Sequence, residues 1–90
     1  MGGVAAKIKI MPAGVETDLE ALKESIKAAV PEGAELVGEI VEEPVAFGLK
    51  ALIVMIMVDD GEGGTEPTEN AFAAIPDIEN VKVIEVGRPI

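Results

Sequence analysis

The chain has 90 residues, of which 49% are hydrophobic, and its 17 acidic and 7 basic residues give a formal net charge of −10. This length supports one domain with a modest core, so we expect a single domain over residues 1–90. The hydrophobic fraction excludes a disordered tail. The acidity argues against direct binding to nucleic acid or to an acidic membrane face, because phosphates repel it. The acidity is compatible with a basic protein partner, and it is also compatible with a role in solubility alone.

Several kinds of catalytic site are excluded by missing residue types. The chain has no Cys and no His, and Ser25 is its one serine. A disulfide, a zinc–thiolate site and a Ser-His-Asp or Cys-His device therefore cannot be built. We expect no cofactor and no metal site. The sequence shows no signal-peptide pattern, and the apolar run at residues 51–58 is too short to span a bilayer. These features favour a cytoplasmic protein without a membrane partner.

The first element of the chain is a predicted strand. Over residues 4–11, apolar residues alternate with Ala5, Lys7 and Lys9, which is the period of a half-buried strand. The lysines mark the wetter face of this strand. They form either an ordinary solvated face or a contact surface.

A helix is predicted over residues 18–30. Thr17 and Glu20 fit the S/T-x-x-E capping box, in which the threonine side chain caps the helix. Pro31 ends the helix. One apolar stripe at helical spacing faces the core, formed by Leu19, Leu22, Ile26, Ala29 and Val30.

Two further strands and a turn are predicted in the middle of the chain. Residues 35–43 carry charge on both faces, which favours an edge strand. Residues 51–58 are continuously apolar, which favours a strand in the middle of the sheet. Residues 44–50 then form the turn of a hairpin. We interpret Met55 and Met57 as core packing.

The last third of the chain predicts an acidic loop, a helix and a strand. Asp59, Asp60 and Glu62 do not have the spacing of a calcium loop, so we interpret them as a solvated connection. Thr65 is the expected N-cap of the second helix, whose apolar side is Ala71, Phe72 and Ile75 and which ends at Pro76. Residues 81–86 form the last strand.

The order of these elements is β-α-β-β-α-β, which is typical of the ferredoxin-like α+β fold. This fold has a four-stranded antiparallel sheet in the order 4-1-3-2 with both helices on one face. The third strand then lies inside the sheet and the second strand at an edge.

Two residues outside the helices are candidate contacts with a partner. Phe47, one of only two aromatic residues, stands in the turn between Pro44 and the apolar run, and Gly48 follows it. Such a ring fills either its own core or a pocket on a partner. Arg88 is the sole arginine and lies third from the last residue, where a side chain is usually unimportant.

Four segments of the chain together resemble one known family. They are the opening strand VAAKIKIMP, the helix DLEALKESIKAAVPEGAEL, the segment EEPVAFGLKALIVMIMV and the acidic EGGTE loop. Their order and spacing resemble the guanine-nucleotide exchange domain of translation elongation factor 1-beta in its short archaeal form. PVAFGLKAL is the most specific of them, and the resemblance covers nearly the whole chain.

The resemblance implies a guanine-nucleotide exchange factor that promotes release of GDP from elongation factor 1-alpha, and not an enzyme. It implies that Phe47 contacts this GTPase and that Gly48 sets the turn that presents it. Arg88 is the nearest match to a C-terminal lysine that eukaryotic members direct toward the Mg²⁺ and phosphate site. We expect the free domain to be a monomer. The alternative is a small-ligand regulatory module of the same fold that acts as a homo-oligomer.

Overall fold

The computed structural model describes residues 3–59 and 65–87. The predicted acidic connection at residues 60–64 and the predicted contact residue Arg88 lie outside the described residues. The element order is the predicted one. The elements are β1 (Gly3–Pro12), α1 (Leu19–Ala29), β2 (Ala34–Pro44), a 3₁₀ turn (Ala46–Gly48), β3 (Lys50–Asp59), α2 (Glu66–Ala73) and β4 (Ile78–Gly87).

The four strands form one antiparallel sheet in the order β2-β3-β1-β4. This is the predicted order 4-1-3-2 viewed from the other edge, so the ferredoxin-like fold is confirmed. The apolar run of β3 lies between β2 and β1, as its composition predicted. Strand β2 is an edge strand, also as predicted.

The core lies between the two helices and one face of the sheet. Alternate residues of β1 and β3 face this core because successive side chains of a strand point to opposite faces. The helices close it from the other side with Leu22, Ile26 and Phe72. The alternating buried residues of β1 and β3 are Ala6, Ile8, Ile10, Leu52, Val54, Ile56 and Val58.

Helix α1 begins one residue later than the capping box predicted. Asp18 is its N-cap, and the carboxylate accepts hydrogen bonds from the backbone N–H of Glu20 at 3.1 Å and of Ala21 at 3.3 Å. The Thr17 hydroxyl instead accepts from the Gly14 N–H at 3.2 Å and closes the preceding loop. The prediction of Thr17 as the cap is therefore wrong, because its hydroxyl serves this loop and a carboxylate suits a helix N-terminus.

Helix α2 begins at the predicted residue but is capped differently. Thr65 is the N-cap without a side-chain bond to the helix backbone, and its hydroxyl donates to the Glu69 carboxylate at 2.7 Å. Phe72 is fully buried, and Ala71 and Ile75 are partly buried, which confirms the predicted apolar side. The helix ends at Ala73, before Pro76.

Both edge strands are irregular. In β2 the register shifts between Val37, opposite Met55, and Val41, opposite Ile53, so three residues of β2 lie across from one of β3. Gly38 adopts a φ of 71° at this bulge, a conformation that glycine takes without steric cost. Two further shifts interrupt the pairing of β4 with β1, between Lys7 and Ile8 and between Met11 and Pro12. Such bulges bend an edge away from other molecules and discourage edge-to-edge association.

Met55 and Met57 do not belong to the core. Both are partly exposed on the sheet face opposite the helices, in alternation with the buried Val54, Ile56 and Val58. Interpreting them as core packing was wrong, because a continuous apolar run hides which of its residues face the helices.

Neither helix among the described residues has the length and the apolar composition that spanning a bilayer requires.

Candidate partner-binding turn

The β2–β3 turn, residues 45–49, is closed by its own backbone. The Val45 N–H donates to the Leu49 carbonyl at 2.8 Å, and the Leu49 N–H donates to the Ala46 carbonyl at 3.2 Å. Val45 and Leu49 are partly buried, whereas the three residues between them are exposed. The two strands therefore fix the base of the turn and leave its tip in solvent.

Phe47 stands at this tip with 94% of its surface exposed. Its backbone is left-handed, with φ 59° and ψ 34°, and it is the one non-glycine residue with positive φ among the described residues. A bulky residue rarely adopts this conformation, which costs roughly 1–2 kcal/mol. A single exposed apolar side chain is common on protein surfaces. A phenylalanine held in a strained backbone and almost fully in water is uncommon, and this combination makes Phe47 the candidate contact residue of the turn.

Gly48 continues the left-handed path with a φ of 78°. A Cβ atom built on Gly48 would lie 3.8 Å from Cγ1 of Val15, which is an ordinary contact, so the available space does not require glycine here. The positive φ does, because L-residues with side chains rarely adopt it. Gly48 therefore has the backbone geometry of a turn residue, and its part in presenting Phe47 to a partner stays a prediction.

The loop between β1 and α1 lies beside the turn and adds an apolar side chain that sequence reasoning missed. Val15 is 62% exposed and adjacent to Gly48. The available signal was an isolated valine in the otherwise polar segment GVETD. A shallow cleft of about 260 Å³ separates the loop from the turn. Its lining residues are Pro12, Gly14, Val15, Thr17, Leu19, Gly48 and Lys50.

Comparison with known proteins identifies the family. Residues 5–88 match the family described as the EF-1 guanine nucleotide exchange domain. The elongation factor 1-beta of Methanosarcina barkeri is 65% identical over 88 residues, which cover 98% of this chain and 99% of that protein. The chain belongs to this family. The elongation factor 1-beta of Methanococcoides burtonii is 59% identical over the full length of both chains. The elongation factor 1-beta of Halobacterium salinarum is 48% identical over 98% of this chain and 99% of that protein.

The family assignment confirms the predicted function, which is guanine-nucleotide exchange on elongation factor 1-alpha in translation. It therefore supports the exchange factor and not the alternative of a small-ligand regulatory module. The fold that the residue pattern predicts is also the fold that the resemblance of the four segments to this family implies.

A salt-bridge cluster ties the turn of this exchange domain to α1. Glu42, near the end of β2, lies 2.9 Å from Nζ of Lys23 on α1 and 3.8 Å from Nζ of Lys50 at the start of β3. The hydrogen bond from Lys23 holds the pKa of Glu42 below its ordinary value of 4.5. The hydrogen bond from Glu42 in turn raises the pKa of Lys23 above 10.5. The cluster joins both strands of the hairpin to the helix behind them.

This cluster predicts a loss of stability on acidification. Because the pKa of Glu42 is lower in the folded state, its contribution is complete above the ordinary value of 4.5 and is lost as the pH falls through the lowered value. We expect the urea midpoint of the natural chain to exceed that of Glu42→Gln at neutral pH, and the two to converge in acid. Urea titrations at a series of pH values measure this difference.

The control for this titration is Glu43→Gln. Glu43 is exposed and forms no salt bridge within residues 3–59 and 65–87. We expect its urea midpoint to follow that of the natural chain across the acid range. If the urea midpoint of Glu42→Gln lay as far below that of the natural chain in acid as at neutral pH, this would contradict the stabilising role of the Glu42 carboxylate.

The described end of β4 is far from the turn. Gly87 pairs with Ala5 of β1, and Ala5 pairs with Met57 of β3. The turn joins β3 at Lys50, so the two places are separated by roughly 24 Å along the strand. Gly87 and the β2–β3 turn therefore lie at opposite ends of the sheet. Arg88 lies outside the described residues.

Proposed function

We propose that the chain, as one domain over residues 1–90 and as a monomer, binds elongation factor 1-alpha through the tip of the β2–β3 turn. The observation that carries this proposal is the strained and 94% exposed Phe47. A large rigid ring fills a partner's pocket with little loss of conformational entropy. Gly48 sets the turn, and Val15 extends the apolar contact on one side.

Arg88 is proposed as a second contact on the same GTPase. A cation that approaches the bound Mg²⁺ and phosphates would compete with the metal and weaken nucleotide binding. The distance of roughly 24 Å between the turn and Gly87 supports two separate points of contact on the partner. In this arrangement Phe47 supplies affinity and Arg88 acts on the nucleotide site.

The proposed mechanism requires no bond to be made or broken by this chain, so we propose that it is not an enzyme. An exchange factor must bind the nucleotide-free GTPase more tightly than the GDP-bound form, since otherwise it shifts no equilibrium. Each tenfold acceleration of GDP release requires about 1.4 kcal/mol. We place this activity in the cytoplasm, together with translation elongation.

The test is an exchange assay with elongation factor 1-alpha loaded with fluorescent GDP. We expect the natural chain to accelerate loss of the fluorescent nucleotide. Arg88→Ala should lower the rate at saturation, because it acts on the nucleotide site, with little change in the concentration that gives half of the maximal rate. Phe47→Ala should mainly raise that concentration. No acceleration by the natural chain at saturation would refute the proposed function, and a saturated rate unchanged in Arg88→Ala would refute the role of Arg88.

A further inference from the structure

The sheet face opposite the helices carries a continuous apolar strip. We call this side of the sheet the open face. Val37 and Val41 of β2 are 41% and 57% exposed, and they lie directly across from Met55 and Ile53 of β3. Met57 continues the row along β3. Because paired strands lie about 4.8 Å apart, these five side chains form one surface, and the rise of about 3.4 Å per residue from Ile53 to Met57 makes it roughly 14 Å long.

A row of lysines borders this strip on the side of β1. Lys7 lies across from Met55, and Lys9 lies across from Ile53. Lys7 is compensated by Glu85 of β4, with Nζ and Oε1 3.5 Å apart. The lysines therefore stand between the apolar strip and the edge strand β4.

Lys9 and Lys82 form a pair of like charges. They lie directly opposite each other on β1 and β4 and share the open face. Neither forms a salt bridge with any described residue. Like charges directly across a ladder destabilise a sheet, and this chain has 17 acidic residues against 7 basic ones. Two adjacent uncompensated lysines in so acidic a chain are unexpected for a surface that faces only water.

We propose that the open face docks an acidic amphipathic segment of a protein partner. The apolar side of the segment covers the strip of Val37, Val41, Ile53, Met55 and Met57, and its carboxylates bind Lys9 and Lys82. Charge complementarity selects this occupant on the side of β1 and β4, where Lys9 and Lys82 border the apolar centre. On the opposite side Glu35 lies across from Met57, so the carboxylates of the segment face the lysines only. The two methionines suit such a surface because their flexible side chains adapt to a bound helix. This surface is distinct from the tip of the β2–β3 turn.

The probe is a synthetic helical peptide of about 14 residues, roughly 21 Å long, with leucines along one face and glutamates along the one flank that meets Lys9 and Lys82. It is titrated into the isotopically labelled chain and followed by NMR. We expect the largest shifts at Lys9, Ile53 and Met55, and weaker binding at high salt. A peptide of the same composition with its periodicity scrambled, and one with lysines in place of the glutamates, should not bind.

Lys9→Glu tests the charge requirement, and Lys27→Glu on the exposed surface of α1 is its matched control. Both variants change the net charge equally, but only the first lies on the open face. We expect Lys9→Glu to weaken peptide binding roughly tenfold or more and Lys27→Glu to change it little. Lys9→Glu should also melt no lower than the natural chain, because it removes the repulsion with Lys82.

Three results would overturn the proposal. The first is no binding of the glutamate peptide, and the second is equal binding of the scrambled peptide. The third is a dimer of the natural chain in sedimentation that the Lys9→Glu substitution converts to a monomer. The open face would then bind a second copy of this chain.

Discussion

Replacing Phe47 with asparagine is expected to weaken binding to elongation factor 1-alpha by about 30-fold or more and, at the same time, to stabilise the free domain. The weaker binding follows from removal of the anchor, since a buried aromatic hot spot contributes about 2 kcal/mol or more. The gain in stability follows from the left-handed backbone at this residue. Asparagine tolerates that conformation better than phenylalanine, so we expect the unfolding free energy to rise by about 1 kcal/mol.

Two further variants separate the ring from the backbone. Phe47→Ala removes the ring but places at positive φ a residue that, unlike asparagine, does not favour this conformation, so it should bind as weakly as Phe47→Asn without the gain in stability. Ile84→Ala, which truncates a 44% exposed side chain of β4, should leave binding within about threefold, as for most surface residues. Nucleotide-exchange titrations and urea unfolding measure the two properties separately. Unimpaired binding by Phe47→Asn would show that the exposed ring is not the anchor.

Replacing Phe72 with alanine is expected to lower the unfolding free energy by roughly 3–5 kcal/mol. Phe72 is fully buried and is the largest buried side chain, so its loss leaves a cavity between α2 and the sheet. For a domain of this size, whose total stability is about 5–15 kcal/mol, this is a large fraction. Urea unfolding at 25 °C, followed by circular dichroism, measures the change.

The same substitution at Phe47 is the matched control, because the chain has only these two phenylalanines and they differ in exposure between 94% and 0%. Phe47→Ala should change the unfolding free energy by less than about 0.5 kcal/mol, as surface substitutions usually do. Where Phe72→Ala remains folded it should still promote exchange, whereas Phe47→Ala should not at the same concentration. A loss of stability at Phe47 as large as at Phe72 would mean that the ring packs within its own domain.

The positions of the elements could be predicted because each carries a signal in its own local sequence, whether a periodic pattern, a continuous apolar run or a flanking turn. The alternation around Lys7 and Lys9 gave β1, and the apolar stripe including Leu22 and Ile26 gave α1. The apolar run of residues 51–58 gave the central strand. The exact cap of α1 was missed because two adjacent residues, Thr17 and Asp18, can both cap a helix. Only the contact of Thr17 with Gly14 decides between them.

In the candidate site, the turn could be predicted from the sequence, but the direction of the ring and the neighbouring loop could not. The segment PVAFGLK indicates a turn that carries a ring, but it does not state whether the ring points inward or outward. The backbone conformation at Phe47 decides this, and it depends on how β2 and β3 meet at the base of the turn. Val15 was missed because it is 33 residues away from Gly48 along the chain, and only the fold brings them together.

By itself, the sequence determined the order of the elements, the ferredoxin-like fold and the family, because periodicity and short motifs are local properties of the chain. Only the tertiary structure decided that the Phe47 ring stands in solvent on a strained backbone and that Lys9 faces Lys82 beside an apolar strip. These features arise from strand register, and register depends on contacts between residues distant in the chain.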